Sequence, residues 1–359
     1  MSAEAAVPEK SSKILYGIQV LRGVGALLVV LRHTAKILED DSPDAFAHGQ
    51  FGVDIFFIIS GLVIFLTGRT QKAGEFLTRR LIRIVPIYWL ILGVNILGDI
   101  ARQKDGPNML SNALWSFAFI PSLNMDNEVF PPATVGWSLN FEMYFYLICA
   151  GVILTLGAER LLRGTTAVIL CAVVVGFATR SAVPWKEYPI MVLLLPLTLE
   201  FLAGMWIAHF SLAGRKSPPI IAALLAIGAV IWVAVGPTAT PYDEWRVLSW
   251  GIPALALVWA VLSTEKIIGY HKWKPALALG DSSYALYLVH PIVLGVLAAL
   301  FNKFHFVEQR WLMFVIMVAC SLIAGQLTHW LIERPMMRVL SSIIKTRKPM
   351  KIGETAVAG

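Results

Sequence analysis

Charge is scarce in this chain. Of its 359 residues, 15% are charged and 57% are hydrophobic, and the mean hydropathy is +0.69. A soluble domain carries about 25% charged residues, so the soluble globular class is excluded. Cysteine is nearly absent as well. Cys149, Cys171 and Cys320 all fall in apolar runs, which leaves no disulfide framework and no metal-ligand spacing. No polar stretch is long enough for a second sizeable domain. A cleavable signal is not expected either, because the first apolar run is too long, carries Arg22 and His33, and lacks a small-residue cleavage site. The net charge of +7 fits basic cytoplasmic loops rather than a nucleic-acid surface.

What is present is a series of apolar runs. Ten spans are predicted, at 14–38, 52–68, 81–100, 138–157, 165–183, 190–210, 219–236, 247–263, 282–301 and 311–331. A span needs roughly 20 apolar residues. An all-α polytopic membrane protein follows, with about ten transmembrane helices and both termini on one side. Residues 1–13 are expected to be a disordered cytoplasmic N-terminus, 14–336 the membrane domain, and 337–359 a basic cytoplasmic tail lying on the anionic leaflet. An N-inside arrangement places 20 of the 30 Lys and Arg residues on the inner side and eight outside, with Arg22 and Arg32 within the first span. That bias favours cytoplasmic termini. Between 101 and 136, Leu110–Ile120 is apolar but too short to span and reads as an interfacial or re-entrant helix. Together with the break at Val129–Pro132, it suggests a covered outer cavity.

The first span organises the rest. It keeps Arg22 and His33 at a depth where charge is costly, about 2.5–3.5 kcal/mol on insertion scales. Eleven residues at 100° each return to within 20° of the starting direction, so both share one face, about 16 Å apart along the axis. A fixed cation and a titratable imidazole at two depths suggest a reaction path. The alternative is that partners between helices simply satisfy both.

Other polar residues recur at helical spacing. Asp54 opens the second span at a depth similar to His33, suited to orienting His33, to binding an acceptor hydroxyl, or to a helix start. Ser60-Gly61 suits close helix packing. Arg80 and Arg83 are three apart, share a face, and can clamp phosphate or simply mark the inner surface. Ser138, Glu142 and Tyr146 form a stripe beginning beside Trp137. Glu142 is suited to hold a proton, to support an imidazolium at His33, or to pair with Arg22. Glu200 is a second intramembrane carboxylate. Ser283, Tyr287 and His290 form another stripe ahead of Pro291, where a kink is expected. His290 can contact substrate or be a buried hydrogen-bonded histidine. Glu333, at the end of the last span, is expected to pair with cytoplasmic arginines.

Six of these pieces, in order, resemble acyltransferase family 3, the integral-membrane acyltransferases that O-acylate cell-surface glycans. They are Arg22 with ten residues before His33, the Gly52-to-Gly61 run, and Arg80-x-x-Arg83-x-x-Pro86. Trp137-Ser138-Leu139 with Glu142, the Ser283-to-Pro291 run and Glu333-Arg334-Pro335 complete the set. The resemblance covers residues 14–336. It implies an acyl-CoA donor, usually acetyl-CoA, entering from the cytoplasm, and no metal. It implies an acceptor hydroxyl on a polysaccharide or lipid-linked oligosaccharide, such as exopolysaccharide or lipopolysaccharide, at the bacterial inner (cytoplasmic) membrane. It also implies that Arg22 and His33 are a catalytic pair and that Arg80 and Arg83 face the donor.

On this reading the CoA phosphates stay near Arg80 and Arg83, and the arm threads past Arg22 to His33. Neutral His33 takes the acceptor proton, supported by Glu142 or Asp54. Trp137, Ser138, Tyr287 and His290 are candidates for substrate contact, Tyr287 also for the oxyanion. A succinyl donor, with Arg32 near its distal carboxylate, and a glycolipid transporter or flippase are the rival readings.

Overall fold

The computed structural model describes residues 15–38, 46–102, 108–124, 126–304 and 309–346, with side chains through 342. The described chain is helical. In order the helices are α1 (Tyr16–Leu38), α2 (Phe51–Gly68), α3 (Ala73–Ala101), α4 (Met109–Phe117), α5 (Trp137–Leu156), α6 (Leu161–Thr179) and α7 (Thr198–Leu212). They continue with α8 (Pro219–Val235), α9 (Ile252–Thr264), α10 (Lys274–Asp281), α11 (Ser283–Lys303), α12 (Arg310–Thr328) and α13 (Arg334–Thr346).

Among the described residues nine helices are long and apolar enough to cross a membrane. The seventh expected span, 219–236, forms α8, which has 17 residues, or about 26 Å, at the short limit for crossing. Large apolar side chains cover the outer faces, including Leu154, Val235 and Trp311, each more than three-quarters exposed. In water such a surface would drive association; in a bilayer it is the solvated face. The chain is an all-α polytopic membrane protein.

The expected boundaries hold to a few residues, with three informative differences. The third helix begins at Ala73, so Arg79, Arg80 and Arg83 lie on its first turns. The expected sixth span is broken: a 3-10 turn at Pro189–Leu194 precedes α7, and Pro196 separates them because proline cannot continue the preceding hydrogen-bond ladder. A π-turn at His329–Glu333 joins α12 to α13, so helix runs across residue 336. Residues 1–13 and the tail beyond 346 lie outside the described residues.

Packing around α2 sets the bundle. A Cβ on Gly61 would stand 1.9 Å from the Phe201 carbonyl oxygen, and one on Gly204 2.0 Å from that of Ile58. Only glycine permits this approach of α2 and α7, as Ser60-Gly61 suggests. The start of α1 is tied to the end of α9. The Glu265 carboxylate accepts from the Gly17 amide at 2.9 and 3.1 Å, satisfying an amide that has no partner within its own helix. The short segment expected to be interfacial or re-entrant forms α4, whose Leu110 and Leu114 are exposed.

Candidate active site

Arg22 and His33 sit on α1 at two levels, which name the two ends of the bundle. Each level has its own polar cluster.

At the Arg22 level, α1, α2, α3, α5 and α11 surround a cavity of about 100 Å³. Its polar lining includes Arg22, Arg80, Arg83 and Glu142. Three guanidiniums against one carboxylate make it cationic. Ser138, Glu142 and Tyr146 all line it, as their spacing predicts. Glu142 accepts hydrogen bonds from Ser60 Oγ at 3.0 Å and from the Tyr146 hydroxyl, so it is held rigidly. Arg80 is buried, donates to Thr67 Oγ1 and lies over the Phe76 ring. Arg22 donates to Gln19 Oε1 at 3.2 Å.

At the other level, His33 Nδ1 is 2.7 Å from His290 Nε2, and His290 Nδ1 is 3.0 Å from the Leu286 carbonyl oxygen. A carbonyl only accepts, so His290 carries its proton on Nδ1. In the neutral ring its Nε2 then accepts, and His33 donates from Nδ1. The lone pair of His33 is left on Nε2. This chain fixes both tautomers from one backbone carbonyl. Pro291, lacking an N–H, also leaves the Tyr287 carbonyl without its helical donor, and that carbonyl lies beside the His290 ring.

Apolar side chains lie between the two levels. Ala26 and Val30, one and two turns beyond Arg22, are fully buried and pack with Leu286 and Phe56. Phe56 and Tyr287 line the far end of the cavity, their ring centroids 6.0 Å apart, and Tyr287 lies 6.2 Å from His290. The polar path expected along the Arg22–His33 face is therefore filled with apolar side chains at its middle. The stripe rule places both residues on one face but says nothing of what packs between them.

Several sequence-predicted residues have other partners. Asp54 does not meet His33. It is fully buried in a bidentate pair with Arg246, at 2.9 Å to Nε and 2.7 Å to Nη2. Arg246 also donates to the Thr240 and Gln50 carbonyls at 3.2 Å and lies over the rings of Trp137 and Trp250. The sequence counts Arg246 as an outer-loop cation, but the fold buries it as the counter-charge of Asp54. Glu200 is buried beside this pair. Trp137 is buried among Phe57, Phe141, Tyr242 and Arg246. The Tyr287 hydroxyl is 2.8 Å from both the Val135 carbonyl and Ser138 Oγ. Its proton goes to the carbonyl, so it is not held ready for an oxyanion. His290 is buried against His33 and does not line this cavity. Glu333 accepts from His329 Nδ1 at 2.7 Å, not from an arginine. Near α4, a cleft of about 140 Å³ lined by Asp99, Asn112 and Asp126 occupies the region where a covered cavity is expected.

Sequence reasoning misses Phe56 and Arg246. Phe56 lies within an unbroken apolar run and carries no signal. For Arg246 the faint signal is a cation four residues ahead of Trp250 at the start of a span. Among the described residues no cluster of three His, Cys, Asp or Glu side chains suits a metal ion.

Comparison with known proteins agrees with this architecture. The model of the acyltransferase domain matches residues 15–330. The exopolysaccharide production protein ExoZ of Rhizobium meliloti is 33% identical over 300 residues, covering 82% of this chain and 91% of its own length. Acyltransferase MdmB of Streptomyces mycarofaciens is 25% identical over 358 residues, covering 89% and 91%. The O-acetyltransferase OatA of Staphylococcus aureus is 26% identical over 363 residues, covering 90% of this chain and 57% of its own. No solved structure matches the chain. With buried polar clusters on the expected helices and a family match across nearly its whole length, the chain belongs to acyltransferase family 3.

Proposed function

We propose that this membrane acyltransferase moves an acetyl group from cytoplasmic acetyl-CoA to a sugar hydroxyl of an extracytoplasmic or lipid-linked polysaccharide. Residues 14–336 form the catalytic domain in the bacterial inner membrane, the Arg22 end faces the cytoplasm, and an exopolysaccharide is the favoured acceptor class. The observation that carries the reading is the His33–His290–Leu286 chain, which leaves His33 Nε2 as a base of defined tautomer.

A sugar hydroxyl is a weak nucleophile, and a positioned base accelerates its attack by about 10²–10⁴-fold. His33 Nε2 takes the hydroxyl proton as the oxygen attacks the thioester carbonyl. The tetrahedral intermediate collapses with cleavage of the C–S bond. The imidazolium returns its proton to the departing CoA sulfur, so ester and free thiol form without net proton release. His290 accepts the His33 Nδ1–H throughout and shares the transient charge. Arg22, with Arg80 and Arg83, attracts the anionic donor into the cationic cavity, and Glu142 holds that cavity in shape through Ser60 and Tyr146. Phe56 must move for the thioester to reach His33.

The test is transfer of label from radioactive acetyl-CoA to host surface glycan by the protein in nanodiscs, with His33→Ala beside the wild type. Transfer by the wild type alone is the expected result. Equal transfer by both would remove His33 as the base. Transfer from succinyl-CoA in preference to acetyl-CoA would change the acyl group but not the residues. No transfer from any acyl-CoA, with glycolipid translocation in its place, would overturn the reading.

A further inference from the structure

The cavity at Arg22 is too small for a whole acyl-CoA. Its volume of about 100 Å³ is well below the roughly 300–1,000 Å³ of pockets that bury whole ligands. It is not a dead end. Arg22 and Arg83 also line a second, larger space of about 830 Å³ that α13 helps to enclose. Pockets of about 300–1,000 Å³ bury ligands of that size.

This vestibule is cationic in a particular way. Its acidic lining residues are Asp281 and Glu333. Asp281 is engaged by Gln19 and Glu333 by His329. Arg83 and Arg338 make no hydrogen bond or ion pair with any described residue, and Arg334 lies over the Trp330 ring, 6.0 Å from its centroid. Arg334 and Arg338 are four apart on α13, hence on one face. Like charges at that spacing destabilise a helix unless an anion lies between them, and guanidinium forks suit phosphate. The depth order is also informative. From the narrow cavity outward, a threaded donor presents its thioester, its arm, its diphosphate and finally its 3′-phosphorylated nucleoside. Arg22 and Arg83 sit at the junction of the two spaces, and Arg334 and Arg338 lie beyond it.

We propose that the vestibule is the nucleotide subsite of the donor, in which Arg334 and Arg338 hold the ribose 3′-phosphate. This rests on the acyl-CoA reading above and assigns a binding role to α13, whose residues from 337 onward the sequence reads as a membrane-surface tail.

The experiment compares acetyl-CoA with acetyl-3′-dephospho-CoA as donors for the wild type, Arg338→Gln and Arg334→Gln. All are assayed in phosphatidylcholine nanodiscs, with monodispersity on gel filtration as the folding control. The wild type is expected to show a KM for acetyl-CoA about tenfold or more below that for the dephospho donor, the scale of one lost charge-assisted hydrogen bond. In both variants that preference should collapse, with the KM for the dephospho donor unchanged. An equal KM for the two donors in the wild type overturns the subsite while leaving the donor reading intact. A rise for both donors alike in Arg338→Gln also overturns it. So does a variant effect that appears only when phosphatidylglycerol is added, which would assign these arginines to lipid headgroups. A wild type that accepts neither donor fails the acyl-CoA reading itself and the subsite with it.

Discussion

His33 Nδ1 and His290 Nε2 lie 2.7 Å apart, and the far nitrogen of His290 ends on the Leu286 carbonyl. Two side chains 257 residues apart thus form a single proton-oriented unit. If His33 is the base, His290 acts through it and touches no substrate. His33→Ala is expected to lower kcat by about 10²–10⁴-fold. His290→Ala should lower it by about 10–100-fold, as loss of an orienting partner does, and leave the KM for acetyl-CoA unchanged. Steady-state kinetics on the nanodisc protein separate the two. A raised KM with normal kcat in His290→Ala would instead make it a substrate contact.

The plug between the two levels makes a second prediction. Phe56 closes the far end of the cationic cavity together with Tyr287. Truncation by Phe56→Ala removes one of the side chains packed between the two levels and admits water. Release of free CoA thiol without acceptor should rise several-fold over the wild type, while transfer to glycan rises less or falls. Thiol release at the wild-type rate would show that the passage opens elsewhere.

The Asp54–Arg246 pair is fully buried, and removing one partner of such a pair costs about 3–5 kcal/mol. The two partners are not equivalent here, because Glu200 lies beside them. Arg246→Met leaves two buried carboxyl groups without a cation, whereas Asp54→Asn leaves Glu200 to face the guanidinium. Thermal unfolding in detergent should therefore show a larger drop for Arg246→Met than for Asp54→Asn. Glu200→Gln, which keeps the shape, should be the mildest of the three. The reverse order would mean that Glu200 does not share the charge of Arg246.

Close approach of α2 and α7 depends on missing side chains. Gly61→Val would drive a Cβ to within 1.9 Å of the Phe201 carbonyl oxygen and is expected to abolish recovery of monodisperse protein. Gly93→Ala on α3 is the matched control, since no described atom beyond its own neighbouring turns lies within 4 Å of its Cβ position. It should raise helix stability by up to about 1 kcal/mol. Equal behaviour of the two variants on gel filtration would show that the α2–α7 contact is dispensable.

Much of this protein was legible in its sequence for a simple reason. In a bilayer every backbone amide must be bonded within its own segment, so apolar run length alone sets the helices and their approximate ends. Helical period sets which residues share a face, and the stripe of Ser138, Glu142 and Tyr146 does reach one cavity. The choice of partner across helices is different in kind. It depends on how each helix is rotated and how closely its neighbours approach, and neither is a property of one segment. Asp54 could face His33 or Arg246 with the same local sequence; packing of α2 against α7 and α9 chose Arg246. His290 could face substrate or His33; the approach of α11 to α1 chose His33, and the Leu286 carbonyl then chose the tautomer. The sequence by itself determined the spans and the polar faces. Tertiary structure decided which polar groups meet, because a buried charge or donor takes the partner that packing brings within about 3 Å.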